Sequence, residues 1–159
     1  MNTANALQLT LVFHLTGLVL MAGMSVADML AYNSFWKQYA IDKQKGMVLL
    51  NASAAYQKYM GMGAALLLLT GVCMMALTHG AFGEQLWMRI KISIVVLLLI
   101  NGPVIGRVQG TKLKNLISAD NQPGDAQEII TLKNRVNLAA VFNLIFLAAI
   151  VILSVFKFN

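Results

Sequence analysis

Residues 7–32 read LQLTLVFHLTGLVLMAGMSVADMLAY, and Asp28 is the only formally charged side chain among them. About 20 apolar residues in a helix cross the roughly 30 Å hydrocarbon core of a bilayer. The stretch is followed by aromatic and basic residues, Trp36 and Lys37, of the kind found where lipid meets water. These features predict a transmembrane helix.

Three further apolar runs follow, at about residues 59–78, 86–107 and 136–156. Backbone groups in lipid must be hydrogen-bonded internally, and the runs lack the alternating pattern of barrel strands. We therefore expect an all-α fold. The whole chain, 1–159, is predicted to be a single domain, an integral membrane bundle of four transmembrane helices.

The composition indicates which solvent and which partners the chain has. Of its 159 residues, 58% are hydrophobic and 11% are charged, against about 25% charged in a typical soluble domain. The net charge of +6 comes from bases that lie between the apolar runs, without a basic face interleaved with aromatics. The expected partner is therefore the lipid bilayer, and nucleic acid is not expected. The lone Cys73 counts against a thiol oxidoreductase with a CxxC pair.

The distribution of basic residues predicts the orientation. Nine of the twelve lie in the first and third connections between the apolar runs: Lys37, Lys43, Lys45, Lys58, Arg107, Lys112, Lys114, Lys133 and Arg135. Connections rich in Lys and Arg stay in the cytoplasm. We therefore expect a multi-pass protein of the plasma (inner) membrane with both termini outside, N-out and C-out.

Polar residues inside apolar runs are the first candidates for function, because they are costly in lipid. In the first span one helical face carries polar and small residues at spacings of three and four: His14, Gly17, Met21, Ser25 and Asp28. In the third span Lys91 follows Trp87 by four residues, which places it at a depth similar to that of His14. A His14–Lys91 pair would suit proton transfer or ligation. In the alternative interpretation Lys91 snorkels to the headgroups and His14 only hydrogen-bonds a neighbour.

The remaining intramembrane polar residues are expected to be structural. Asp28 is predicted to pair with a base near the cytoplasmic end, Arg107 or Arg135. Asn101 and Asn143 lie in the middle of the third and fourth spans, where amides form hydrogen bonds between helices.

Metal chemistry has little support in the residue types present. The only histidines are His14 and His79, and neither a HExxH motif nor a cysteine cluster accompanies them. The ten methionines offer thioethers that bind Cu(I), although methionine is more often apolar filler. No protein metal site is therefore predicted.

Several residues together resemble a known group. His14 is followed nine residues later by Gly23, and a short turn leads into Trp87-Met88-Arg89-Ile90-Lys91. A long apolar run then ends in Arg107, and Lys157 follows the last span. The pattern resembles the broad group of four-helix membrane proteins that contains HemJ-type protoporphyrinogen oxidases and CopD-like copper-resistance domains.

The resemblance implies a b-type haem and electron transfer from a porphyrinogen. His14 would bind the haem, and Lys91 matches the second position expected to matter. The chain departs from the HemJ type at Ile100-Asn101, where an aromatic-histidine pair is expected. It also has Ala27-Asp28-Met29 where a Leu-Pro-Arg signature is expected. The chain is therefore expected to be a divergent member.

Two functions remain open at this stage. The first is a redox-linked membrane protein with haem b or an amphipathic aromatic ligand in the outer half of the bundle. The alternative is a non-enzymatic transport or accessory subunit that handles copper or packs against a larger membrane complex. Small residues such as Gly61 and Ala65 would allow close helix contact, including in a homo-oligomer. The sequence leaves open whether the protein is an enzyme.

Overall fold

The computed structural model describes residues 2–81, 83–101, 108, 110–118 and 125–156. Within these residues the fold is all-α, as the sequence predicted. The helices are α1 (Thr3–Tyr39), α2 (Lys43–Leu77), α3 (Leu86–Asn101), α4 (Gly110–Ser118) and α5 (Asp125–Phe156). The chain forms two compact units, Met1–Arg89 and Ile90–Phe158.

Three of the described helices are long and apolar enough to cross a membrane: α1, α2 and the Gln127–Phe156 part of α5. Their large apolar side chains are widely exposed, with Val19 72% and Val72 68% accessible. The exposure of so many large apolar side chains to water would be unfavourable, so these surfaces indicate contact with lipid. The chain is therefore a membrane protein by its helices.

The third predicted span, residues 86–107, is only partly described. Helix α3 accounts for its first part and is uninterruptedly apolar from Ile94 to Ile100. The remainder, with Gly102-Pro103 and the predicted structural residue Arg107, lies outside the described residues. The four-span topology and its orientation stay predictions.

The helices extend beyond the predicted spans. Helix α1 continues past residue 32 to Tyr39, α2 begins at Lys43 rather than near 59, and α5 begins at Asp125 rather than near 136. Hydropathy marks where a segment leaves lipid. Helical hydrogen bonding continues through polar residues of good helix propensity, such as Gln, Lys and Ala.

In the first unit, α1 and α2 form an antiparallel hairpin that turns within residues 40–42. The Asp42 carboxylate caps α2 by accepting hydrogen bonds from the backbone N–H groups of Gln44 (2.9 Å) and Lys45 (3.2 Å). A Cβ at Gly46 would lie 2.9 Å from Tyr39 Cα. The absence of a side chain at Gly46 therefore lets the two helix ends meet directly after the turn.

Farther along the hairpin the helices touch backbone to backbone. A Cβ at Gly63 would lie 2.8 Å from Met21 N and 2.9 Å from Gly17 O, closer than real side chains approach. Lipid provides no hydrophobic drive for helix association, so close packing at small residues holds membrane helices together. The Gly17–Gly63 contact therefore fixes the spacing and register of α1 and α2.

An aromatic cluster surrounds the end of α1. Phe35 is fully buried, and its ring centroid lies 4.8 Å from that of Trp36 and 5.4 Å from that of Tyr39. Tyr32 packs edge-on against Trp36 at 6.0 Å. Tilted and edge-to-face rings at these distances attract each other. The cluster occupies the segment where the sequence predicts the lipid–water boundary.

In the second unit, α4 packs on the start of α5. Leu113 and Ile117, one turn apart on α4, are fully buried. Beside them Lys112 Nζ lies 2.6 Å from Glu128 Oε1. This ion pair is well exposed to solvent, so it contributes little to stability, and the apolar contact fastens α4.

Candidate functional site

His14 lies on α1 and is hydrogen-bonded across the hairpin to α2. Its Nδ1 lies 2.8 Å from Thr70 Oγ1. Thr70 is buried, and its hydroxyl also lies 2.6 Å from the carbonyl oxygen of Leu66, one turn earlier on α2. The imidazole is thus held at one edge by a side chain that is itself anchored to the helix backbone.

The next residue on α2 leaves space beside the imidazole. A Cβ at Gly71 would lie 3.7 Å from His14 Cε1, an ordinary van der Waals distance. A small side chain at position 71 would therefore not clash with His14. Gly71 leaves room for about one methyl group along the ring edge.

The polar face predicted for the first span is confirmed as a single face, and it packs on α2. Gly17 and Met21 contact Gly63, and the Ser25 hydroxyl lies 3.1 Å from Met60 Sδ. Below this the Ser53 hydroxyl donates to the Asp28 carboxylate. Each polar group on this face is met by α2 at the same depth, as the antiparallel register requires.

Asp28 is held by neutral donors on α2. Besides Ser53, the Gln57 side chain hydrogen-bonds the carboxylate. The predicted partner Arg107 lies outside the described residues, and Arg135 belongs to the second unit. Pairing of Asp28 with either base therefore stays a prediction, and the observed role of Asp28 is to join α1 to α2.

In the second unit two hydrogen bonds join α3 to α5. Lys91 Nζ lies 2.9 Å from Ser154 Oγ, and Asn101 Nδ2 donates to Asn143 Oδ1 at 2.8 Å. The Ser154 hydroxyl in turn donates to the carbonyl of Ile150. The later residue of α3 pairs with the earlier residue of α5, so the two helices run antiparallel with Lys91 at one end of their contact.

The two residues proposed as catalytic have separate partners. His14 belongs to the first unit and bonds Thr70, whereas Lys91 belongs to the second and bonds Ser154. Their mutual contact stays a prediction. His79 lies beyond the end of α2 in a turn with positive φ (52°), more than two helical turns from Thr70.

The described ranges contain no group of three or more His, Cys, Asp and Glu side chains that could hold a metal ion. Within them the His14 imidazole is a nitrogen donor on the face of α1 that packs on α2.

Sequence reasoning missed the hydroxyl partners Thr70, Ser53 and Ser154. Each is a small polar residue in a helix whose partner lies many residues away in the chain. Once two helices are paired antiparallel, such a partner could be sought as a Ser or Thr residue at the same depth as an intramembrane His, Asp or Lys.

Searches of protein-family models, curated proteins and solved structures found no match to this chain.

Proposed function

We propose that this chain is a redox-linked protein of the inner membrane, with four spans and both termini outside, that holds haem b or another amphipathic aromatic ligand beside His14. The ligand would lie in the outer half of the bundle, with Lys91 near it. The observation that carries the proposal is the hydrogen bond between His14 and Thr70, which joins two apolar helices.

A polar imidazole is costly at this depth in lipid, so a histidine found there is a candidate functional residue. Histidines that bind metals are typically oriented by a hydrogen bond from the other ring nitrogen, and Thr70 provides such a bond at Nδ1. Gly71 places no side chain against the adjoining ring edge. The residues on α1 and α2 therefore fit a ligand held by His14. When bound, a haem would supply one-electron transfer.

The resemblance to the HemJ and CopD group supports the same proposal. It depends on His14 with Gly23, and on the segment Trp87 to Lys91. The proposal treats the chain as a divergent member and leaves the porphyrinogen oxidase reaction open, because Ile100-Asn101 replaces the expected aromatic-histidine pair.

A second candidate is a non-enzymatic transport or accessory subunit, alone or in a larger complex. The observation that favours it is the pairing of intramembrane polar groups between helices, Asp28 with Ser53 and Asn101 with Asn143. Such pairs are interhelical hydrogen bonds and need no substrate. Met60 Sδ lies 3.1 Å from the Ser25 hydroxyl, so this thioether packs at the same contact between α1 and α2.

Absorption spectroscopy with metal analysis on the detergent-purified protein tests the first function against the second. We expect a Soret band that is lost in His14→Ala and retained in the matched variant His79→Ala. A colourless wild-type protein after haem supplementation would contradict haem binding. Stoichiometric copper, or a stable membrane partner that co-purifies, would support the second function.

A further inference from the structure

The hydroxyl of Thr70 has three neighbours but one proton. It lies 2.6 Å from Leu66 O, 3.2 Å from Leu67 O and 2.8 Å from His14 Nδ1. Threonine within a helix commonly donates to the carbonyl one turn earlier, and the shortest distance here is to that carbonyl. The hydroxyl proton therefore lies toward Leu66, and the lone pairs of Oγ1 face the imidazole.

We propose that Thr70 is a positioning residue that fixes His14 as the tautomer with its proton on Nδ1. Because the Thr70 proton is given to Leu66, the contact with His14 is a hydrogen bond only when Nδ1 donates. A neutral imidazole carries one ring proton, so Nε2 then holds a lone pair. Thr70 thus determines which nitrogen of His14 serves as a base or ligand.

Burial makes this arrangement stable against exchange. Thr70 is 8% exposed, within an apolar part of α2, so water does not readily reach its hydroxyl. A buried donor left without its acceptor is destabilising. With its proton toward Leu66 O, the Thr70 hydroxyl has an acceptor for that proton and accepts the Nδ1–H of His14.

The tautomer specifies the class of ligand. A lone pair on Nε2 binds a metal centre, such as the iron of a haem, or accepts a proton from an acidic group. It does not bind a carbonyl or an anion, which would need a donor. The assignment to haem iron rests on the proposed function, whereas the tautomer does not.

Nuclear magnetic resonance of protein labelled with ¹⁵N-histidine in lipid bilayers tests the tautomer directly. The chain has two histidines, so His79 is an internal reference. At a pH where the imidazoles are neutral, we expect a protonated Nδ1 and an unprotonated Nε2 for His14. Thr70→Val, which keeps the shape but removes the acceptor, should move the proton to Nε2. Thr70→Ser should restore the wild-type spectrum.

Gly71→Ala is the matched control, because it adds a methyl group next to the same imidazole without touching the hydrogen bond. Its His14 signals should keep the wild-type pattern. A wild-type His14 with its proton on Nε2 would overturn the proposal without any variant. Unchanged His14 signals in folded Thr70→Val would overturn it as well.

Titration with hemin and with metal-free protoporphyrin separates the two proposals. We expect Thr70→Val to weaken hemin binding on the order of tenfold, as loss of an orienting partner does at metal sites. Thr70→Ser should bind as the wild type does, and protoporphyrin should be insensitive to Thr70. If the Nδ1–H tautomer depends on Thr70 but hemin does not bind, the proposed function is wrong and the role of Thr70 stands.

Discussion

The contact between Gly17 and Gly63 leads to a prediction at the scale of single residues. Gly63→Ala would place a methyl group 2.8 Å from Met21 N and 2.9 Å from Gly17 O, both backbone atoms that cannot move aside alone. We expect the variant to lose about 1–3 kcal/mol of stability, the usual cost of overpacking. Thermal unfolding in detergent, followed by circular dichroism, would measure the loss.

Gly23→Ala is the control for this prediction. An added Cβ there meets no atom within 4 Å, and Gly23 lies inside α1. Alanine should raise stability by roughly 0.5–1 kcal/mol, because glycine is unfavourable within a helix. If Gly63→Ala were as stable as Gly23→Ala, the close approach of the two helices would be wrong.

At this scale the sequence predicted positions better than partners. The spacing from His14 to Asp28 was sufficient to define one helical face, since helical periodicity is local. The partner of Asp28 on α2 is Ser53, which no local rule identifies. Choosing a partner requires the register between helices, and that register depends on the contact of Gly17 with Gly63.

At the scale of elements, the start of α2 depends on the cap at Asp42. Asp42→Ala removes the acceptor for the backbone N–H groups of Gln44 and Lys45. We expect a loss of about 1 kcal/mol, while Asp42→Asn should stay close to the wild type, because asparagine caps equally well. Chemical denaturation in mixed micelles would quantify both variants.

Lys45→Ala separates the cap from the ion pair. Lys45 Nζ lies 3.6 Å from the Asp42 carboxylate, but the lysine side chain is 76% exposed. Exposed pairs of this kind contribute little. A Lys45→Ala loss as large as that of Asp42→Ala would mean that charge pairing, and not capping, holds the turn.

The contact between α3 and α5 is open to a double-mutant cycle. Asn101→Ala and Asn143→Ala each remove one partner of the 2.8 Å hydrogen bond. We expect a coupling energy of about 0.6 kcal/mol, and at most about 1.7 kcal/mol, as found for side-chain hydrogen bonds between membrane helices. Strictly additive losses in reversible unfolding would show that the two amides do not interact.

Helices were easier to predict than their ends. The apolar runs were sufficient for α1, α2 and α5, because nothing except helix satisfies a backbone of this composition in lipid. The extensions to Tyr39, Lys43 and Asp125 lie outside the spans that hydropathy predicted. They depend on capping and packing outside lipid, as at Asp42 and at the buried Leu113, which hydropathy does not report.

At the scale of the whole molecule, the proposed topology can be tested with single cysteines. In a Cys73→Ala background, cysteine replaces one exposed residue in each aqueous segment: Asn5, Lys45, Glu84 or Gln127. With four spans and the N-terminus outside, an impermeant maleimide should label the first and third of these in intact cells. The second and fourth should react only after permeabilisation.

Labelling at Gln127→Cys distinguishes a topology of four membrane spans from one of three. If α3 did not cross the membrane, Gln127→Cys would lie on the same side as Glu84→Cys and would be labelled in intact cells. That result would reduce the protein to three spans and would move the C-terminus inside. The basic residues from Lys112 to Arg135 would then be outside, against the charge rule that predicted the orientation.

At this scale the sequence predicted that the protein lies in a membrane, but it did not predict the chemistry of a site. Apolar runs and the placement of bases report on lipid and orientation through simple transfer energies. The proposed function depends on a few atoms, such as the edge of His14 that faces Thr70, and composition carries no record of them. The sequence therefore located His14 but did not reveal how its proton is held.

The length of the first hairpin has a consequence for the surface that the protein presents outside the bilayer. With 37 and 35 residues, α1 and α2 are rods of about 55 and 50 Å. A bilayer with its headgroups is only about 40–45 Å thick. An upright hairpin whose open end is level with one surface must project its closed end, with Lys43 and Lys45, past the other. A molecule approaching through water on that side would meet this positively charged tip before it reached any lipid.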